Sequence, residues 1–154
     1  MIETPSGGWT LSSLAELFAT DPDALGDVDV AVAEGTDVLR VTLKERGDLD
    51  VLVTASGEQI LMSVAIAPRA DVPNPTDFDR LLLVTHKLIP LSTFGLTSID
   101  GNEWYELFGS LSAASRASVV IEEAATLAAN AVEAAELVSE WTANGGKTTE
   151  GDKS

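Results

Sequence analysis

The sequence predicts an α+β domain in which an antiparallel sheet, made of a meander and a C-terminal hairpin, is flanked by helices. Three observations point there. Apolar residues recur at helical spacing in three separated stretches, 11–19, 76–89 and 117–141. Between the first two, from Val28 to Ile66, the period switches to two and is broken by short glycine-bearing turns. An Asp-Gly pair between two further apolar runs then marks a second hairpin. The expected order is helix, three or four strands, helix, two strands, helix.

Thr10 offers a capping hydroxyl to a first helix, in which Leu11, Leu14, Leu17 and Phe18 share a face, and Asp21-Pro22-Asp23 stops it. Val28, Val30 and Val32 alternate, as do Leu39, Val41 and Leu43, then Leu49, Val51 and Val53, then Ile60, Met62, Val64 and Ile66. Turns fall at Glu34-Gly35-Thr36, Arg46-Gly47-Asp48 and Ser56-Gly57-Glu58. The first strand is the weakest, because Ala31 and Ala33 have low strand propensity. Asn74-Pro75-Thr76-Asp77 combines a capping side chain, a proline and an acid, and starts a second helix expected over Thr76–Ile89. Phe78, Leu81, Leu82, Leu88 and Ile89 line one side of it, and Pro90 ends it. Thr93–Ile99 and Glu103–Ser110 flank Asp100-Gly101-Asn102 as the second hairpin. In its second strand Trp104, Glu106 and Phe108 point one way and Tyr105, Leu107 and Gly109 the other, which predicts cover on both faces, at least in part. The third helix, Ala117–Trp141, carries the Ala-rich stripe Val120, Ala124, Leu127, Ala131, Ala134, Val138 and Trp141 opposite Glu122, Glu133, Glu136 and Glu140. The domain is expected over 1–143, with 144–154 as a disordered tail.

Composition narrows the function. With 25 acidic against 9 basic residues the chain carries a formal charge of −16, and no Lys or Arg precedes Arg40. Nucleic acid and anionic bilayers are bound through clustered cations, so neither is expected as a direct partner. The absence of cysteine removes thiolate nucleophiles, disulfides and Cys-based metal sites. No leader-like segment opens the sequence, and no run reaches the roughly 18 apolar residues of a membrane span, so a cytoplasmic location is expected.

Reaction chemistry is sparse. His86 is the single histidine, has no orienting partner nearby in sequence, and is expected to be structural. The carboxylate pairs Asp77 and Asp79, Glu103 and Glu106, and Glu122 and Glu123 are what so acidic a chain yields by chance. No phosphate loop, nucleophile elbow, dinucleotide fingerprint or calcium loop occurs, and neither catalytic residues nor a cofactor is expected. A binding protein is therefore favoured over an enzyme. The simplest use of the doubly apolar strand and of the Ala-rich stripe is core packing, the stripe across the sheet; the alternative is a partner interface of Trp104, Phe108, Leu127, Ala131, Val138 and Trp141, and the same two features suggest a homodimer. The alternative is a small-molecule sensor or an enzyme working through Glu103, Glu106 and Glu123.

LLLVTHKLIPLSTFGL, DGNEWYELFGSLSAAS and IEEAATLAANAVEAAE, together with WTLSSLAEL near the start, resemble the bacterial YjfI family. The likeness is strongest over residues 80–137. It carries no catalytic residue, but the genes of that family tend to lie beside one for a PspA-like membrane-stress protein, which implies an envelope-stress role and a PspA-like partner. The element order also resembles type III secretion chaperones and YbjN-like proteins, acidic and often dimeric α+β domains that bind extended protein segments.

Overall fold

The computed structural model describes residues 2–20, 24–33 and 35–147. Its elements are α1 (Leu11–Thr20), β1 (Val28–Val32), β2 (Leu39–Leu43), β3 (Leu49–Ser56), β4 (Gln59–Pro68), α2 (Pro75–Thr85), β5 (Thr93–Ile99), β6 (Asn102–Ser112) and α3 (Ala117–Ala143). The six strands form one sheet in the order β1-β2-β3-β4-β6-β5, antiparallel throughout. The expected α+β class and element order are what the chain adopts.

Local chemistry accounts for most element ends. At α1 the caps are reciprocal: the Ser13 N–H donates to Thr10 Oγ1 at 3.2 Å and the Thr10 N–H to Ser13 Oγ at 2.9 Å. In the β5–β6 hairpin Asp100 and Gly101 have φ of 52° and 82°, the pair of left-handed residues that a two-residue type I′ turn requires. Asp21-Pro22-Asp23, expected to stop α1, and Glu34 of the first strand turn lie outside the described residues.

The strand registers put every buried apolar side chain of the sheet on one face. Val41 pairs with Val51, Val53 with Met62, and Val64 with Leu107. All six are at most 1% exposed. All three helices lie on this face. Leu14, Leu17 and Phe18 of α1 and Val120, Ala124, Leu127, Ala128 and Ala131 of α3 share one core with it. A second, smaller cluster joins Phe78 and Leu82 of α2 to Tyr105 and Trp141. There Phe78 meets Tyr105 edge-on at 5.1 Å between ring centroids and Trp141 at 5.4 Å.

Four expectations are corrected or narrowed by this arrangement. Asn74 does not cap α2 with its side chain: its backbone is left-handed, at φ 48°, and its Nδ2 donates instead to the Gly146 carbonyl at 3.1 Å. The Asn74 carbonyl accepts the Asp77 and Phe78 amides, which starts the helix without the side chain. α2 ends at Thr85, with a 3-10 turn over His86–Leu88, four residues before the expected Ile89. The chain must turn there, because the His86 ring reaches back to the start of β5. The last residues of the domain run past 143: Gly146 is buried and donates its amide to the Trp141 carbonyl at 2.9 Å. Residues 148–154 of the expected tail lie outside the described residues. Finally, among the described residues the helices cover β6 on one face only, and on the other Trp104, Glu106 and Phe108 are half-buried.

The depth of Leu127, fully buried under the centre of α3, sets a stability expectation. Leu127→Ala should cost about 2–5 kcal/mol in denaturant unfolding. Val132→Ala, on the same helix but 43% exposed, should stay within about 0.5 kcal/mol.

Candidate functional site

The uncovered face of the sheet is the first feature that asks for a functional account. Pairing places Thr93, Phe108, Ser63, Leu52 and Arg40 side by side in one row across five strands, all on this face. Trp104, Ile99 and Leu61 lie on the same side, and neither core cluster includes any of them. An antiparallel sheet tolerates water on one face when that face is polar, and Thr42, Thr54, Ser63 and Ser110 fit that rule. Trp104, Phe108, Leu52 and Leu61 do not. Trp104 and Phe108 are half-buried and Leu52 is exposed, with no other part of the described chain to shield them.

At the β5 margin this face is notched. Gly95 stands opposite Glu106 in the ladder. A Cβ at Gly95 would lie 3.0 Å from Phe108 Cε1 and 3.4 Å from Glu106 Oε2, so ring and carboxylate both lean over the glycine toward the sheet edge. Burial holds the Glu106 carboxyl above the usual carboxylate range. No cation answers it: the ion pairs among the described residues are Lys44 with Asp29 and Arg69 with Asp79.

The expected interface residues divide. Trp104 and Phe108 sit on the open face. Leu127 and Ala131 are buried in the main core, and Trp141 is buried in the smaller one with its indole N–H donating to the Pro73 carbonyl at 2.6 Å. Val138 is half-buried against that second cluster. The Ala-rich stripe thus packs on its own sheet, where small side chains let α3 approach closely, and it is not a free surface. The stripe therefore gives no support to a homodimer.

The carboxylate pairs do not converge. Asp77 is exposed, whereas Asp79 accepts from Tyr105 Oη at 2.5 Å and from Arg69 Nη2 at 2.7 Å. Burial works to raise Asp79, but the bonds from Arg69 and Tyr105 outweigh it and hold the carboxyl below its usual range. Glu103 and Glu106 are separated by an odd number of strand positions and face opposite ways. Glu122 is exposed and Glu123 buried. Among the described residues no three His, Asp or Glu side chains come together as a metal-ligand set. His86 is bonded within the fold, its Nε2 accepting the Phe94 N–H at 2.8 Å.

Sequence reasoning missed one buried polar group, the junction of α3 with the segment leading into β5. Asn130 Nδ2 donates to the Pro90 carbonyl at 2.8 Å and to Ser92 Oγ at 2.9 Å. Between those two residues Leu91 is held at φ 63°, a left-handed conformation unfavourable for leucine. Glu123, 7% exposed, lies beside this junction with its Oε2 unpartnered. A Cβ at Gly109 would collide with that oxygen and come within 3.0 Å of the Leu91 carbonyl, so glycine is required there. The only local signal was a glycine inside a strand, which marks close approach but not what approaches.

Burial, with the neighbouring Glu122 carboxylate adding less, raises the Glu123 carboxyl above its usual range. Its folded pKa exceeds its unfolded one. The charged form therefore costs stability that is absent below the unfolded pKa, near 4.3, and complete above the folded one. Glu123→Gln should raise the melting temperature at pH 7.5 by about 2–4 °C for each kcal/mol recovered. At pH 3.5 it should have little effect, as differential scanning calorimetry at the two pH values would show.

Comparison with known proteins matches this architecture to a bacterial family. The family model described as "Uncharacterized protein conserved in bacteria (DUF2170)" matches residues 8–142. The chain is also 30% identical over 133 residues to "Uncharacterized protein YjfI" of Escherichia coli, in two strains, an alignment covering 86% of this chain and 97% of the relative. Apart from Ala143 at the end of α3, the helices, sheet, open face and β5 edge fall within the matched residues, and the chain belongs to this DUF2170, or YjfI, family of bacterial proteins.

Proposed function

We propose that the protein is a non-enzymatic, protein-binding adaptor of chaperone-like character, and that it docks its partner on the open face of the sheet. One observation carries the reading: Trp104 and Phe108, with Leu52 and Leu61 nearby, lie on a sheet face that no other part of the described chain covers. Partly exposed rings on a flat strand surface are the residue type that anchors interfaces. The acidic side chains lend further support, because among the described residues no three of them come together as a cluster, and Glu103 and Glu106 face opposite sides of the sheet. A net charge of −16 favours partners that present cations and keeps unrelated acidic surfaces away.

No helix among the described residues is long and apolar enough to cross a membrane. An adaptor acting in the cytoplasm and reaching the envelope through another protein is consistent with that. The partner suggested by the family resemblance is a PspA-like membrane-stress protein, and the reading extends to a role in an envelope-stress system.

Isothermal titration of the chain with a PspA-like protein of the same bacterium tests the reading. Binding should be saturable and should weaken by about tenfold or more, roughly 1.4 kcal/mol, when Trp104→Ala and Phe108→Ala are combined. The Leu127→Ala variant, altered under the other face, should bind normally wherever it remains folded. Absence of binding, together with a small-molecule turnover that disappears in Glu106→Gln, would overturn the reading in favour of a carboxylate enzyme.

A further inference from the structure

β5 ends the sheet, and its amides divide by direction. In the type I′ hairpin Ile99 and Asn102 form a hydrogen-bonded pair, so Thr93, Gly95, Thr97 and Ile99 turn their N–H and C=O groups toward β6. Phe94, Leu96 and Ser98 turn theirs outward. The Phe94 N–H confirms the alternation, since it is taken from outside by His86 Nε2. Within the described structure, the N–H groups of Leu96 and Ser98 meet no backbone or side-chain acceptor.

Edge strands are normally guarded by charge, proline, a bulge or shortness. The opposite edge, β1, is five residues long and carries Asp29 paired with Lys44 at 3.2 Å. β5, with the sequence TFGLTSI, has no charge, no proline and no bulge.

We propose that the β5 edge accepts an extended protein segment as a seventh strand, one that alternates apolar side chains with Lys or Arg. The inference deepens the protein-binding reading above and rests on it. The alternation follows from the two surfaces that such a strand would straddle. On the helix side it would lie against Leu96, 47% exposed, and near Leu91 and Leu88, 53% and 75% exposed. A cleft of about 350 Å³ adjoins them, lined mostly by apolar side chains such as Leu81, Ile89, Phe94 and Leu137, with Asn130 and Glu133 also in its wall. The predominantly apolar lining favours apolar side chains on this side of the strand. On the open-face side, one strand spacing away, stands the Gly95 notch with the Glu106 carboxylate and the Phe108 ring leaning over it. A cation reaching across the missing side chain would meet an unpaired, partly desolvated carboxylate and an aromatic ring together.

Charge also chooses between occupants. From Leu88 to Ser115 there is no Lys or Arg, while Asp100, Glu103 and Glu106 are acidic. A second copy joined edge to edge would set this acid-only hairpin against itself, whereas a basic segment complements it.

The test is titration of the full chain with a synthetic peptide of about eight residues, long enough for a strand, that alternates Val and Lys. Two control peptides accompany it: the same sequence N-methylated at alternate backbone amides, and an alternating Val and Ser peptide. The Val-Lys peptide should bind, and each control should bind about tenfold more weakly. Glu106→Gln should reduce binding of the Val-Lys peptide and flatten its salt dependence. Leu96→Pro removes one outward N–H while leaving the ladder to β6 intact, and should also reduce binding. Melting curves report folding separately, and the conservative Glu106→Gln keeps the test readable if Leu96→Pro fails to fold. Equal binding of the N-methylated peptide, lost with Trp104→Ala and Phe108→Ala, would overturn edge pairing while leaving the adaptor reading in place. No binding of the Val-Lys peptide would overturn the proposal, as would a dimer in sedimentation that Leu96→Pro converts to monomer, since a second copy would then occupy the edge. Equal binding of the Val-Ser peptide would overturn the choice of a basic segment.

Discussion

The close packing of α3 on β4 and β6 is the constraint from which the rest of the molecule follows. Val120, Ala124, Leu127, Ala128 and Ala131 form the underside of the helix, and the alanines among them let its backbone come near the sheet. Nearness has consequences along its length. It leaves no room for a side chain at Gly109, where Glu123 and the Leu91 carbonyl already fill the space. It brings Asn130 against Pro90 and Ser92, which fixes the path of the chain into β5. At the far end it sets Trp141 against Phe78, and the indole N–H then ties α3 to the loop that begins α2. With α1 on the same side through Leu14, Leu17 and Phe18, all the described helices pack on one side of the sheet, and none lies over the other.

Much of this could be read in the sequence, for reasons that also explain what could not. Period-two alternation identified β1 to β4, and Asp100-Gly101 the last hairpin, because strand pleat and left-handed turns are local properties written in consecutive residues. Which residues share a face was likewise legible: Trp104, Glu106 and Phe108 do point away from Tyr105, Leu107 and Gly109. Whether a face is covered was not, since cover is supplied by elements distant in sequence. That is why the Ala-rich stripe left two uses open, packing across its own sheet, which is what it does, and a partner interface, and why the extent of cover on the second face of β6 could not be read. The early end of α2 and the role of Asn74 have the same origin. His86 bonding to Phe94 and Asn74 bonding to Gly146 are tertiary events, and capping propensity cannot anticipate them.

Of the candidate site, sequence supplied the two rings and Glu106 but not their geometry. The sequence alone does not point to Gly95. In the fold it is the place where Phe108 and Glu106 lean across the edge, so the missing side chain becomes a notch with defined chemistry. The single histidine was recognised as structural. That its acceptor nitrogen holds one outward amide of an edge strand could come only from the pairing register.

The two edges of the sheet show that the charge of this protein is placed, not merely abundant. An acid surplus as large as −16 could have guarded both margins at no cost in composition. Instead, ionic side chains sit at β1, where Asp29 and Lys44 pair, and are absent from all seven residues of β5. The acids of the hairpin stand one strand in, on β6 and its turn, too far back to block strand addition yet close enough to attract a cation to the margin. An unguarded edge is ordinarily an aggregation hazard, because any strand of the same chain can pair with it. A negative hairpin behind the edge lessens that hazard by repelling further copies of a chain that is itself strongly anionic, while leaving the edge open to segments of opposite charge. Selectivity then arises from long-range repulsion, with the short-range hydrogen-bonding groups of β5 left unmodified.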